Sequence, residues 1–151
     1  MKSPPSEANI FTKHMKLEDE NYCFCCGDAN PIGLHLKFRW EDREYVTQFT
    51  PRKEHEGFTG IVHGGLIATV LDEVMARMLW QSGHRTVTAE MTVRLRRAAR
   101  PGETLSFRAR VVRETSRLVE CSADAKGEEG IIAQATAKFL RHTQAPAGDE
   151  T

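Results

Sequence analysis

From Leu34 the chain alternates, with Leu34, Leu36, Phe38 and Trp40 apolar and His35, Lys37 and Arg39 between them. A period of two is that of a half-buried strand. Glu41 to Glu44 is turn-like, and Tyr45 to Thr50, rich in β-formers, predicts the returning strand of a hairpin. The period then changes. Between Val62 and Trp80 the apolar residues Leu66, Ile67, Val70, Leu71, Val74, Met75, Met78 and Leu79 fall at the i, i+3, i+4 spacing of a helix of about five turns. Gly83 stands where such a helix stops.

Beyond the helix, Val87 to Leu95 alternates again. Val87, Ala89, Met91, Val93 and Leu95 lie on one face, and Thr88, Glu90, Thr92 and Arg94 lie on the other. Pro101-Gly102 predicts a turn. Thr104 to Arg113, Leu118 to Lys126 and Gly130 to Arg141 repeat the alternation across turn-prone connections, which predicts a meander of antiparallel neighbours. Two strands, one long helix and four strands describe an α+β domain, an antiparallel sheet of five to six strands wrapped around a central helix. So small a sheet leaves edges and part of the helix uncovered, and self-association follows.

A chain of 151 residues, 40% hydrophobic, is long enough for one core and too short for two. Residues 22–141 carry the pattern. Residues 1–21 are charged and mixed, 142–151 small and polar, and both ends are expected to be poorly ordered or flexible. Lys plus Arg and Asp plus Glu each total 21, so no net field points to nucleic acid or an anionic membrane as partner. No stretch approaches the roughly 20 apolar residues of a membrane span. A soluble cytoplasmic protein is expected. Cys23, Cys25 and Cys26 are too close together for a disulfide framework, and CxCC without a second matched pair is not a zinc spacing, so no metal is expected.

On the helix, Gly65, Ala68, Thr69, Asp72 and Ala76 lie close in projection, a face of small residues with one carboxylate in its midst. Glu73 projects elsewhere, toward Arg77 at i+4, where an ion pair is worth about 0.2–0.5 kcal/mol. Asp72 is thus either a nucleophile or general base shielded by a neighbouring subunit, or a solvated surface group. At the helix entrance, Gly60-Ile61-Val62-His63-Gly64-Gly65 offers free backbone amides and the positive end of the helix dipole to an oxyanion or thioester carbonyl. Its glycines can equally serve to relieve crowding where loop meets helix. Gly65 and Asp72 are about 10 Å apart along the axis, too far to hold one reacting atom, so a shared site needs two antiparallel helices about a dimer two-fold.

The stretch His63-Gly64-Gly65-Leu66-Ile67-Ala68-Thr69-Val70-Leu71-Asp72 resembles the HGG-x6-[DE] signature of the hot-dog acyl-CoA thioesterase superfamily, and within it the PaaI-type branch. Cys23-Phe24-Cys25-Cys26-Gly27 with Asn30-Pro31-Ile32-Gly33-Leu34, and Thr88-Ala89-Glu90-Met91, are similar to further segments of that family, so the resemblance spans about residues 22 to 141. It implies the hot-dog fold and hydrolysis of an acyl-CoA thioester to a free acid and CoA by a homodimer or homotetramer. Asp72 would activate water or attack the carbonyl. Gly65 N–H of the partner chain would polarise that carbonyl, and Thr88 would position the water or Asp72. His63 would orient the helix entrance, as a structural hydrogen-bonder or an acid–base group. Asn30 and Gly64 are expected at the substrate. Arg94, Arg96 and Arg97 would meet the coenzyme A phosphates, unless they are a solvated strand face. No cofactor is implied beyond the coenzyme A of the substrate.

Two rivals remain open. One is a non-catalytic acyl-CoA-binding hot-dog protein; the other is a hot-dog hydratase or dehydratase, whose own Asp and His pair is not evident here. A serine hydrolase is disfavoured because no G-x-S-x-G elbow occurs.

Overall fold

The computed structural model describes residues 16–142, in which the alternating stretches form six strands and the helical stretch one helix. These are β1 (Phe38–Glu41), β2 (Glu44–Phe49), α1 (Gly64–Gln81), β3 (Thr86–Leu95), β4 (Leu105–Glu114), β5 (Leu118–Gly127) and β6 (Gly130–Arg141), with a single 3₁₀ turn at Lys53–His55. The sheet is antiparallel throughout, in the order β1-β2-β4-β5-β6-β3. Of the end segments expected to be poorly ordered, 1–15 and 143–151 lie outside the described residues.

Helix α1 lies across the sheet because its apolar stripe matches the sheet's inward positions. Leu71, Val74, Met75 and Leu79 are fully buried against Phe107 on β4, Val119 on β5 and Phe139 on β6. Each such large side chain contributes about 1.5–3 kcal/mol on burial. Inward positions Ala123, Ala125, Ala133, Ala135 and Ala137 are small, which lets the helix backbone sit close to β5 and β6. At the far end the amides of Gly83 and His84 bond the carbonyls of Trp80 and Leu79, and Gly83 takes φ +85°, a glycine-favouring helix stop.

Three features depart from simple alternation. Leu34 to Lys37 are not strand. The amides of Leu34 and Leu36 bond the carbonyls of Phe24 and Cys25, and His35 takes φ 54°, so pairing begins only at Phe38. Nor do the last four strands form a meander. Strand β3 pairs with β6 rather than β4, because residues 96–104 cross beneath the helix entrance. There Ala99 accepts from the Val62 amide and the Gly102 amide bonds Pro51, which delivers β4 to the side of β2.

The third departure is a bulge in β3 between Thr88 and Glu90. Thr88 pairs with Phe139, while Met91, Val93 and Leu95 pair with Ala137, Ala135 and Ala133, all partners on the helix-facing side. One extra residue inverts the parity. Thr88 is therefore not on the outer face with Glu90, as strict alternation places it, but on the side of the helix.

Candidate active site

Asp72 lies on α1, one turn beyond Ala68 on the small-residue flank, and is half-buried in the single chain. The β3 bulge aims Thr88 at it, and Thr88 Oγ1 donates to Asp72 Oδ1 at 2.8 Å. Burial raises the Asp72 carboxyl above the usual aspartate range, and the Thr88 hydrogen bond opposes that shift. With one oxygen held by Thr88, the second oxygen is left to accept a proton.

The helix entrance is built by its own sequence. His63 caps α1, with Nδ1 accepting from the Gly65 amide at 3.0 Å, and Thr69 Oγ1 donates back to the Gly65 carbonyl at 2.8 Å. A Cβ on Gly64 would stand 2.7 Å from Leu95 Cδ1, so this glycine admits the end of β3. Within one chain the entrance and Asp72 stay about 10 Å apart along the helix axis, as the spacing requires. The structure thus brings together Asp72 with Thr88, and His63 with Gly64 and Gly65, but does not join the two groups.

The other expected substrate residues are placed differently. Asn30 is buried at 8% exposure, and its side chain organises its own loop: Nδ2 donates to the Tyr22 carbonyl at 3.1 Å and Oδ1 accepts from the Ile32 amide at 3.0 Å. Arg94 is exposed on β3, six residues from Thr88, roughly 20 Å along a strand. Arg96 Nε donates to Gln134 at 2.6 Å, and Arg97 donates to Glu103 at 2.7 Å.

Sequence reasoning missed the surroundings of Glu73. The i+4 partner is present, with Arg77 Nε 3.8 Å from Glu73 Oε1, but the side chain is only 16% exposed and faces the cysteine loop. Cys26 Sγ donates to Glu73 Oε1 at 3.1 Å and Cys23 Sγ to the same oxygen at 3.5 Å. Arg77 in turn bonds Cys26 Sγ and, at 2.8 Å, Asp19. Burial raises the Glu73 carboxyl and pushes the Cys26 thiol up to about 12. The loop and Glu73 are 47 to 50 residues apart, so no local pattern could have joined them. The unusual density of cysteines was the signal available.

Comparison with known proteins places this geometry in context. Human acyl-coenzyme A thioesterase 13 is 29% identical over 104 residues, covering 66% of this chain and 70% of the human protein. Mouse acyl-coenzyme A thioesterase THEM5 is 20% identical over 141 residues, 92% of this chain and 53% of the mouse protein. The chain therefore spans about half the length of that relative. A hypothetical thioesterase from Streptococcus pneumoniae, solved with coenzyme A, superimposes with a TM-score of 0.67 at 18% identity, over 74% of this chain and 88% of its own. The Escherichia coli PaaI protein from the phenylacetic acid degradation operon gives 0.67 at 19% identity, over 72% and 84%. The fold is the hot-dog fold that the signature implies. Residues 59–134, half of the chain and including α1, β3, β4 and β5, match the Thioesterase superfamily, and the protein belongs to that family.

Proposed function

We propose that this chain hydrolyses acyl-CoA thioesters, with Asp72 as general base in a site completed by a second copy of the chain. The observation that carries the reading is the half-buried Asp72 carboxylate held by Thr88 on the helix of a thioesterase-superfamily chain. Its second oxygen takes a proton from water as the water oxygen adds to the thioester carbonyl. The tetrahedral intermediate then expels the CoA sulfur, which accepts the proton from Asp72, leaving a free acid. Amides at the entrance of the second copy's helix, with its dipole, stabilise the oxyanion. Use of the Gly65 amide there requires its bond to His63 Nδ1 to yield to the carbonyl.

The second copy is argued from β3. It is an edge strand, and none of its ten residues is buried in the single chain, whereas β4, β5 and β6 each bury at least three. Leu95 on it is 57% exposed. An unpaired, partly apolar edge beside Asp72 suits pairing with its own copy. The acyl-CoA class rests on the relatives named above and on the streptococcal structures that hold coenzyme A or acetyl-CoA. Two variants of the pneumococcal protein replace an aspartate and a threonine sixteen positions apart, the separation of Asp72 and Thr88. Exposed Arg94 is the residue of the arginine run best placed to meet a phosphate; Arg96 and Arg97 would have to exchange their present partners.

The test is free-thiol release from acyl-CoA thioesters of short, aromatic and long acyl groups, by wild type and Asp72→Asn in parallel. Turnover that collapses in the variant supports the reading. Tight acyl-CoA binding without turnover in wild type would replace it with a non-catalytic binding protein.

A further inference from the structure

The loop before β1 is wound tightly around its cysteines. The Gly27 amide bonds the Cys23 carbonyl at 2.8 Å, and a Cβ on Gly27 would stand 2.3 Å from the Cys23 nitrogen. In this turn Phe24 points out at 42% exposure, while Cys23 and Cys25 turn inward to α1. There they meet Glu73. One donor atom from each of Cys23, Cys25 and Glu73 falls within 4.8 Å of the other two.

The distances and charges suit a cation. Bonds of about 2.3 Å to sulfur and 2.0 Å to oxygen at the tetrahedral angle put S and O roughly 3.5 Å apart. Cys23 Sγ and Glu73 Oε1 are 3.5 Å apart. The Cys25 amide donates to Cys23 Sγ at 3.3 Å, the kind of outer contact that favours a sulfur ligand as thiolate. Two thiolates and a carboxylate carry three negative charges, which a divalent ion and the Arg77 guanidinium beside Glu73 balance. Cys26 Sγ, which donates to the same carboxylate oxygen at 3.1 Å and accepts from Arg77, stays outside the three-residue group. A cleft of about 500 Å³ has Cys23 and Glu73 in its wall and gives a cation a way in, past Glu20 and the Lys16–Glu18 and Arg77–Asp19 ion pairs.

We propose that Cys23, Cys25 and Glu73 form a site for one thiophilic divalent cation of the zinc class, which clamps the loop to α1. Two sulfurs and one oxygen select zinc over calcium or magnesium, which take oxygen ligands. The thiols lose their protons to solvent on binding, and no electron moves. The clamp fastens α1 one residue beyond Asp72, yet does not depend on the thioesterase reading, since its ligands and measurements are separate from turnover.

The experiment uses the full chain, reduced and without a histidine tag, titrated anaerobically with Co²⁺ and then Zn²⁺. One equivalent of Co²⁺ gives thiolate-to-cobalt charge-transfer absorption in the near ultraviolet, which Zn²⁺ abolishes by displacement. Cys23→Ser and Cys25→Ser each remove the absorption, and Glu73→Gln weakens binding by about tenfold or more. In wild type, where folding is not in question, Zn²⁺ slows alkylation of Cys23 and Cys25, mapped by mass spectrometry, but not of buried Cys121 in β5. Absorption that persists in Cys25→Ser, or alkylation rates indifferent to saturating Zn²⁺, would overturn the proposal and leave hydrogen-bonded thiols.

Discussion

Asp72 and Glu73 are adjacent on one helix, both carboxylates, and both raised by burial. One residue of helix turns a side chain by about 100°, and that rotation gives them different neighbours. Asp72 faces the bulged edge strand and meets a single hydroxyl, beside a surface that the single chain leaves open. Glu73 faces inward beneath the cysteine loop and meets thiols and a guanidinium. The first setting leaves a carboxylate oxygen to do proton chemistry; the second occupies its carboxylate with donors that can become ligands. Position on the helix, not residue type, separates a candidate base from a candidate ligand.

The sharpest test of that contrast is Asp72→Asn, which is expected to lower kcat/KM on an acyl-CoA substrate by roughly 10²–10⁴, the range of a lost general base. The same variant should keep the Co²⁺ absorption of wild type. Loss of both would show that the two faces are not separate. Thr88→Val removes a hydrogen bond to a charged group worth about 1.5–3 kcal/mol, so kcat/KM should fall by about tenfold to a hundredfold. Thr88→Ser should restore most of it, and Thr88→Val should add little on an Asp72→Asn background, as a double-mutant cycle for one shared contact requires.

Glu73→Gln works in the opposite direction. Its cation affinity should drop by about tenfold or more, measured by competition with a chromophoric chelator. Its kcat/KM should change less than in Thr88→Val, and a larger fall would assign Glu73 to the reaction. The smallest effect is expected at the helix entrance. His63→Ala removes the side-chain cap and should cost about 1 kcal/mol, or a Tm lower by about 2–4 °C for a chain of this size. Thermal unfolding followed by circular dichroism reads it directly, and an unchanged Tm would mean that the cap contributes nothing.

Much of the architecture was legible because it is written in local periodicity. The helix expected between Val62 and Trp80 runs from Gly64 to Gln81, and the three strands that close the sheet lie within about one residue of the alternating stretches. Alternation misled where the local signal was cancelled by distant contacts. Leu34 and Leu36 have the spacing of a strand, but their amides are taken by the cysteine loop. Thr88 has the parity of an outward residue, and a bulge beside it reverses its face. The resemblance to a thioesterase signature, not the alternation, set Thr88 next to Asp72.

The sequence by itself determined the α+β composition of the domain, the helix with Asp72 on its small-residue flank, and a glycine entrance about 10 Å from that carboxylate. These follow from the fixed rise and rotation of helix and strand, which any reader of the spacing can apply. Only the tertiary structure decided that β3 pairs with β6 and lies at an edge, that its bulge aims Thr88 at Asp72, and that Glu73 lies beneath three thiols from the far side of a loop. Register, edge and cluster are properties of segments tens of residues apart. Their closure depends on how the whole core packs, and no local period records it.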